Sequence, residues 1–279
     1  MMTRAMASPR LTPLMVRILS GSVFIGVVLA ALFIGTYGVY VLALGLAALA
    51  LWEFRGLSDG MGSRAPSWLL FPLGAFLVLS GTVLKQIDLA VVLSITLVVG
   101  LGAFLVVPGR RQGLGRWAMG LAGALYIGLP FNYYLLLYTS KPHGLIWTAF
   151  TIFAVIASDA AALLVGSRIG RHPFFESISP HKTAEGAVAG VVAAVLVMLV
   201  GVTVVLGISP LHAILLGVLV GTTAELGDLV ESQMKRLAEV KDSGHLIPGH
   251  GGVLDRLDSI LFPPILVYFY VSLFGLLAR

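Results

Sequence analysis

Cysteine is absent from the 279-residue chain, and charged residues are scarce. Without cysteine there is no disulfide, no thiolate nucleophile and no cysteine-ligated metal. Charged residues make up 11% of the chain, whereas a soluble domain typically carries about 25%. So few charges cannot cover a water-facing surface of this size. The composition therefore excludes an ordinary soluble enzyme, a disordered chain and a coiled coil.

Apolar surface is what the chain has in excess. Hydrophobic residues make up 58% of it, and the mean hydropathy is +0.99. One bilayer crossing needs about 20 apolar residues. We therefore predict an all-α, polytopic integral membrane protein with about nine transmembrane helices and no separate soluble domain. The predicted spans are residues 14–34, 37–54, 67–84, 88–107, 117–138, 144–167, 186–206, 210–230 and 257–277.

The spans divide into two halves of different character. Residues 1–143 contain about five spans and few chemically distinctive side chains. Residues 144–279 contain the remaining spans and two polar links, at about 168–185 and 231–256. We expect the chemistry of the protein to lie in this second half.

Lysine and arginine are distributed unevenly between the two sides of the predicted bundle. With nine spans, 15 of the 18 lie on the side of the N-terminus, and the other side has Lys85, Lys141 and Arg279. Cytoplasmic loops of membrane proteins carry such an excess, so the N-terminus and both polar links are predicted to be cytoplasmic. The net charge of +5 fits an anionic membrane face or a phosphate substrate better than nucleic acid.

Acidic residues are concentrated near the C-terminal end, where one 34-residue stretch holds 7 of the 13. Within it, Glu225, Asp228, Ser232 and Arg236 share one helix face. Asp228 lies near the end of an apolar run, where an acid is costly unless it pairs, is protonated or binds a cation. An ion pair with Lys235, Arg236 or another helix and a functional cation site are both open interpretations.

A glycine-rich loop, residues 241–252, follows this helix. It contains four glycines, a proline and two histidines. Glycine lets backbone N–H groups approach phosphate oxygens closely, and Lys241 and His250 add charge or donors. The loop leads directly to Asp255 and Asp258, which share the first turn of the next helix. The alternative is a plain connector followed by acids that suit the helix dipole.

Together these residues predict a metal and phosphate site at one membrane face. Asp228, Asp255 and Asp258 supply the hard oxygen ligands that Mg²⁺ prefers. Carboxylates interleaved with cationic side chains suggest Mg²⁺ together with a polyphosphate. The cations that surround the three acids are Lys235, Arg236, Lys241 and Arg256.

The earlier polar link adds a second group of candidates. Asp159 lies within an apolar span, and Gly166 and Gly170 follow at the small-xxx-small spacing that favours close helix packing. Lys182 and Glu185 then bring a cation and an acid to the start of the seventh span. An acid near a helix start, such as Glu185, is equally explained as part of the helix cap.

At this point the motifs resemble a known family, the phosphatidate cytidylyltransferases (CDP-diacylglycerol synthases). The resemblance is unbroken over 27 residues, and the block from Asp159 to Gly186 is also similar. Leu163 stands where an aromatic residue is common, and His181 where Lys or Asn is usual. The matching residues are Ser232-x-x-Lys235-Arg236-x₄-Lys241-Asp242-x-Gly244-x-x-Ile247-Pro248-Gly249-His250-Gly251-Gly252-Val253-x-Asp255-Arg256-Leu257-Asp258.

The resemblance implies a reaction in which CTP and phosphatidic acid give CDP-diacylglycerol and pyrophosphate. It further implies a membrane-embedded homodimer, Mg²⁺ with K⁺ as a second cation, and a cytoplasmic-face site, here expected in a bacterial cell membrane. The implied metal ligands are Asp228, Asp255, Asp258 and Asp159, and Gly249, Gly251 and Gly252 are expected to bind the nucleotide. The candidate catalytic residues are Lys182, Glu185, Ser232, Lys235, Arg236, Lys241, Asp242, His250 and Arg256.

Two other functions remain open on the sequence. A cation-coupled transporter also buries acids and breaks helices, but here the charged groups cluster in one stretch with no matching half. A different CTP-dependent enzyme, acting on a prenyl or ether-lipid phosphate, would have similar spans. A CDP-alcohol phosphotransferase is disfavoured because its Asp-Gly-x-x-Ala-Arg run is absent.

Overall fold

The computed structural model describes residues 13–106, 110–249 and 251–278, and these ranges are helical without a β-strand. Two isolated β-bridges join Pro173 to Thr183 and Ile247 to Gly251. The predicted all-α class is confirmed. The helices are α1 (Pro13–Ile34), α2 (Thr36–Gly60), α3 (Ser67–Leu79), α4 (Leu89–Val106), α5 (Arg110–Thr139), α6 (Gly144–Ile169), α7 (Ala184–Leu206), α8 (Pro210–Leu237), α9 (Leu254–Leu261) and α10 (Pro263–Leu273), followed by a 3₁₀ turn at Leu276–Ala278.

The described residues contain six helices that are long and apolar enough to cross a bilayer by length and composition. Three shorter apolar helices lie among them, at Leu19–Ile34, Ser67–Leu79 and Leu89–Ala103. Each of the nine corresponds to one predicted span, so the polytopic membrane fold is confirmed. The six longer ones are Thr36–Gly60, Gly113–Thr139, Gly144–Ile169, Ala184–Leu206, Pro210–Leu237 and Leu254–Leu273.

Two helices extend beyond the predicted spans, because apolarity ends before helicity does. α8 continues to Leu237 rather than stopping near residue 230, since its last turns contain strong helix formers such as Met234, Lys235 and Arg236. α5 begins at Arg110 rather than near 117. The polar links are consequently shorter than predicted, at residues 170–183 and 238–253.

The last span is broken, as the proline pair Pro263–Pro264 predicts. α9 ends at Leu261, and α10 begins at Pro263 with Phe262 between them. Proline fits the first positions of a helix but cannot donate to the preceding turn. The two segments contribute to different apolar clusters, although α5, α6 and α8 pack against both.

Two apolar clusters form the interior. One contains residues of α2, α3, α5 and α9, such as Leu51, Leu70, Ile127 and Leu257. The other contains residues of α6, α7, α8 and α10, such as Met198. α9 thus joins the first cluster and α10 the second. The proposed division after residue 143 stays a prediction.

Small residues bring α6 and α7 together on either side of the first polar link. A Cβ added to Gly186 would lie 2.8 Å from the backbone oxygen of Ala162, and one added to Gly166 would lie 3.0 Å from Thr183 Oγ1. Thr183 caps α7 by accepting a hydrogen bond from the Gly186 N–H at 3.2 Å. Close packing therefore explains the small-xxx-small spacing. It also positions Lys182, which is the residue before Thr183.

Both polar links and the end of α2 converge at one end of the bundle, which we call the loop face. Arg236 Nε donates a hydrogen bond to the Ile178 carbonyl oxygen at 3.1 Å, joining the two links. A Cβ on Gly60 would lie 3.0 Å from Ala238, so the end of α2 packs directly against the end of α8. The candidate residues are gathered at this face.

Candidate functional site

A lysine clamped between two carboxylates lies at the centre of the site. Lys182, from the link before α7, lies 2.6 Å from Glu225 and 2.9 Å from Asp228, both on α8. Ser232, one turn further along, donates a hydrogen bond to Asp228 Oδ1 at 3.1 Å. The predicted face of α8 is therefore real, and an ion pair does form there. Its cation comes from the other link, not from Lys235 or Arg236.

The Lys182 side chain is 19% exposed, and its charge depends on these carboxylates. Burial lowers the pKa of the amine, but the negative charges of Asp228 and Glu225 outweigh burial and leave the pKa above its ordinary value. Lys182 is therefore a permanent cation near neutral pH. It offsets part of the negative charge of α8 and fixes the first link against that helix.

A second clamped lysine joins α8 to α9. Lys235 pairs with the fully buried Glu231, one turn earlier on the same helix, and with Asp255 Oδ1 at 2.7 Å. The other oxygen of Asp255 accepts hydrogen bonds from the N–H groups of Ser243 at 2.9 Å and Gly252 at 2.8 Å. Both oxygens of Asp255 are thus engaged. Asp255 organises the loop as well as contributing charge.

The glycine-rich loop turns back on itself between these contacts. The Ile247 N–H donates to the Gly251 carbonyl oxygen at 2.9 Å. Gly249 and Gly251 have φ values of 75° and 85°, which favour glycine. Lys241, Asp242 and Gly249 are exposed, whereas Gly252 is buried. His250 lies outside the described residues.

Three carboxylates, those of Asp159, Asp228 and Asp258, lie where α6, α8 and α9 meet. Asp258 is close enough to Asp228 and Asp159 to feel their negative charges, and Ser259 hydrogen bonds with the Asp159 side chain. Gly227 lets α9 approach α8 here, because a Cβ would collide with the Asp258 carbonyl oxygen. Asp159, Asp228 and Asp258 therefore come together, although they are far apart in sequence.

Carboxylate oxygens are the main polar groups of this region. Hard carboxylate oxygens are what Mg²⁺ prefers, and like charges held together are stabilised by a cation between them. Over the ranges 13–106, 110–249 and 251–278, no group of three or more acidic or histidine side chains is placed so that it could hold a metal ion. The acids outnumber the two clamped lysines, since the cluster comprises Asp159, Glu225, Asp228, Glu231, Asp255 and Asp258.

Glu185 occupies a different part of the loop face. Its carboxylate accepts hydrogen bonds from the N–H groups of Arg171 at 3.2 Å and His172 at 3.3 Å. It also contacts His172 Nδ1 at 2.6 Å. These contacts join the start of the link to the first turn of α7, whose N-cap is Thr183. The catalytic role of Glu185 stays a prediction. Arg256, the remaining predicted cation, is exposed on the first turn of α9.

One acid at this face, Glu53, was not among the candidates identified from the sequence. Glu53, near the end of α2, is 1% exposed. Its carboxylate accepts hydrogen bonds from the N–H groups of Val253 at 2.9 Å and Leu254 at 2.7 Å. A lone acid in an apolar span is itself a functional signal, and that signal could have identified Glu53.

These features define a polytopic membrane protein with a carboxylate and lysine site beneath a glycine-rich loop. Residues 15–274 match the model of the Cytidylyltransferase family, and the chain belongs to this family. The two clamped lysines and the glycine-rich loop lie within the matched range.

Similar curated proteins are named phosphatidate cytidylyltransferase. The chain is 38% identical to the one from Bacillus subtilis (strain 168), over 54% of this chain and 57% of that protein. It is 45% identical to the one from Synechocystis sp. over 47% and 45%, and 44% identical to the one from Mycobacterium bovis over 46% and 41%. The chain thus spans about half the length of these relatives.

Proposed function

We propose that this protein transfers the cytidylyl group of CTP to phosphatidic acid, giving CDP-diacylglycerol and pyrophosphate. The observation that supports it most directly is the pair of lysines, Lys182 and Lys235, each held between two carboxylates beside a glycine-rich loop. Carboxylates for a cation and cationic groups for phosphates are what such a transfer needs. The names of the similar proteins point to the same acceptor.

In this reaction an oxygen of the lipid phosphate attacks the α-phosphorus of CTP in line. A new P–O bond forms there, and the bond from the α-phosphorus to the bridging oxygen of the β-phosphate breaks. The electron pair leaves on pyrophosphate. A phosphate monoester is already ionised near neutral pH, so the attack needs no strong general base. Arrangements of the Ser-His-Asp type are therefore unnecessary.

We propose that Asp159, Asp228 and Asp258 hold Mg²⁺, with Asp255 close by and K⁺ as a second cation. When bound, Mg²⁺ would offset the negative charge of the phosphates and favour departure of the pyrophosphate. The protein's own cations serve the same purpose from the other side. Lys241 lies on the loop that would receive the triphosphate, and Lys235 is connected to that loop through Asp255.

The loop has a route by which a nucleotide could enter. A cavity of about 390 Å³ lies between the end of α2 and the glycine-rich loop. Arg55, Arg64 and His245 line it together with Ser243 and Gly244. We propose that CTP enters here, since cationic side chains and loop glycines suit an anionic nucleotide. The lipid phosphate would then approach from the bilayer, past the first link.

The setting proposed for this reaction is the cell membrane of a bacterium. The N-terminus and the loop face would lie in the cytoplasm, where CTP is available, and the protein would act as a homodimer. The distribution of Lys and Arg supports this orientation. The accessible apolar side chains along α1 and α4, such as Phe33 and Val98, suit contact with lipid.

Purified full-length protein in detergent, given labelled CTP and a panel of lipid phosphates, tests the proposal. We expect pyrophosphate release only with both a lipid phosphate and Mg²⁺, and the highest rate with phosphatidic acid. A higher rate with a prenyl phosphate would identify a different acceptor. Solute or ion flux into liposomes without pyrophosphate release would contradict the proposal and favour a transporter.

A further inference from the structure

Glu53 is a buried acid whose hydrogen-bond partners come from the opposite end of the chain. A buried carboxylate is costly unless hydrogen bonds satisfy it. Oε1 accepts from the Val253 N–H, and Oε2 accepts from the Leu254 N–H. Ser243 Oγ donates to Oε2 as well, at 3.2 Å. A single residue of α2 therefore contacts both the glycine-rich loop, at Ser243, and the start of α9, at Val253 and Leu254.

The two backbone donors are the ones that a helix start leaves unsatisfied. The first N–H groups of an α-helix have no partner within it, and a negative charge near the N-terminus suits the helix dipole. Val253 precedes α9 and Leu254 begins it. The N-cap residue Val253 makes no side-chain capping hydrogen bond of its own. Glu53 accepts the Val253 and Leu254 N–H groups from a distant helix, and Ser243 Oγ accepts the Asp255 N–H at 3.3 Å.

Two glycines of the loop lie so close to the Glu53 carboxylate that a side chain at either position would contact it. A Cβ on Gly252 would lie 2.6 Å from Glu53 Oε2 and would also collide with Ser243 Oγ. A Cβ on Gly244 would collide with Glu53 Oε1. These glycines therefore serve close packing of the loop onto the carboxylate, a reason distinct from access to phosphate.

Glu53 is connected to the candidate site through Ser243. The Ser243 hydroxyl lies 3.2 Å from Glu53 Oε2 and 3.0 Å from Asp255 Oδ2. Asp255 in turn pairs with Lys235. Glu53 itself is 1% exposed and borders the cavity between α2 and the loop. Its hydrogen bonds go to the loop and to the start of α9.

We infer that Glu53 is a positioning residue for the transfer reaction. Its carboxylate holds the glycine-rich loop and the first turn of α9 so that Asp255 and Asp258 face α8. The inference rests on the proposed function. It predicts that loss of the carboxylate frees the loop locally while the helical bundle stays folded.

Glu53→Gln is the most selective change, because it keeps the size of the side chain. An amide has one acceptor oxygen, so one of the Val253 and Leu254 N–H groups faces an NH₂ group instead. An unsatisfied buried donor costs about 1–3 kcal/mol, which corresponds to about a tenfold to hundredfold increase in opening of the loop. Asp59→Asn is the matched control, since Asp59 is an exposed acid on the same helix.

Single cysteines report this opening, because the natural chain has none. Val253 is 4% exposed, and a cysteine there reports on the end of the loop. Ile208, between α7 and α8, is 1% exposed, and a cysteine there reports on a region away from the loop. In full-length protein in detergent, Glu53→Gln should raise the rate of maleimide labelling at Val253→Cys by about tenfold or more. Labelling at Ile208→Cys should stay unchanged. Asp59→Asn should change neither rate.

Kinetics on the cysteine-free protein complete the test. Glu53→Gln should lower kcat by about tenfold or more, and the apparent KM for phosphatidic acid should change less than kcat. Gly244→Ala should reproduce this defect, because its methyl group collides with Glu53. Combined with Glu53→Ala, which removes the collision, Gly244→Ala should add little further loss.

Two labelling outcomes and one kinetic outcome would overturn the inference. Unchanged labelling at Val253→Cys would mean that Glu53 does not hold the loop, and faster labelling at both cysteines would mean that it stabilises the whole fold. Faster loop labelling with an unchanged kcat would mean that loop position does not matter for transfer. A wild-type protein without transferase activity would contradict the proposed function instead, and the labelling would still decide whether Glu53 holds the loop.

Discussion

Lys235 on α8 and Asp255 on α9 form an ion pair, with 2.7 Å between Nζ and Oδ1. The pair joins the helix that carries Asp228 to the helix that carries Asp258. It also fixes the loop, because the other Asp255 oxygen accepts the Ser243 and Gly252 N–H groups. One contact thus connects the proposed cation site to the proposed phosphate site.

Asp255→Asn and Lys235→Met should therefore be energetically coupled. Breaking a largely buried pair leaves the other charge without its partner, so each single change should destabilise the protein, and the double change should cost less than the sum. The free energies of unfolding in mixed detergent micelles give the coupling. Strict additivity would show that the contact contributes nothing to stability.

Asp228→Asn should lower kcat by more than about a hundredfold, as removal of a main electrostatic contributor does. The change keeps the shape of the side chain and removes one of the acids closest to Asp258. The yield of folded protein should hold, since the cluster has an excess of negative charge. Rates are to be measured at limiting Mg²⁺, with Asp59→Asn as the control. A near-wild-type rate would exclude Asp228 as a ligand.

Lys241→Ala and Lys182→Ala should affect the two substrates differently. Lys241 is exposed on the glycine-rich loop, so its loss should raise the KM for CTP more than the KM for phosphatidic acid. Lys182 lies on the other link, and its loss should have the opposite preference. Both substrates must be titrated at saturating Mg²⁺, because metal loss would mimic either defect. Equal effects would indicate one shared phosphate site.

Lys182→Ala should in addition lower stability, which separates it from Lys241→Ala. Removing the ammonium leaves Glu225 and Asp228 facing each other without their common cation. Lys182→Arg is the matched variant, since it keeps the charge. A thermal unfolding midpoint that falls for Lys182→Ala but not for Lys182→Arg or Lys241→Ala is the expected pattern.

Gly251→Ala should weaken the loop. Gly251 has a φ of 85°, and an added Cβ would lie 3.0 Å from Asp255 Oδ2. The left-handed conformation alone costs a non-glycine residue about 1–2 kcal/mol. Gly45→Ala is the control, because Gly45 lies within α2 with nothing within 4 Å of an added Cβ. Transfer rate should fall for Gly251→Ala and stay unchanged for Gly45→Ala; equal rates would contradict a strained loop.

Reporter fusions test the orientation. With 15 of the 18 Lys and Arg residues on one side, a reporter inserted near Ser243 should lie in the cytoplasm. A reporter fused after Arg279 should lie outside it. The two reporters on the same side would require an even number of crossings.

The sequence predicts the helices well because apolar length dominates in a membrane protein. Each of the nine predicted spans has a helical counterpart, and Pro263 marks the break in the last one. The predicted span ends near residue 230, where the apolar run ends, whereas helix α8 continues to Leu237. This agrees with the helix face predicted to extend from Glu225 to Arg236. Hydropathy predicts which residues lie in the bilayer, but it does not predict where a helix ends.

Within the candidate site, sequence spacing predicts what one helix face brings together and fails for contacts between helices. Asp228 and Ser232 were correctly assigned to one face. The partner of Asp228, Lys182, is 46 positions away and could not be chosen over Lys235 by spacing. Glu53 was missed for the same reason, since its partners lie about 200 residues further along the chain.

The break at Phe262 gives the last crossing a role in both apolar clusters. α9 carries Asp255 and Asp258 and shares an apolar cluster with α2, α3 and α5, whereas α10 shares one with α6, α7 and α8. α8, which carries Asp228, and α6, which carries Asp159, pack against both segments. The distances among the carboxylates are therefore set by how the two groups of helices fit together. Substitutions in that seam, far from any charged residue, would alter the turnover of the protein while leaving every side chain of the site intact.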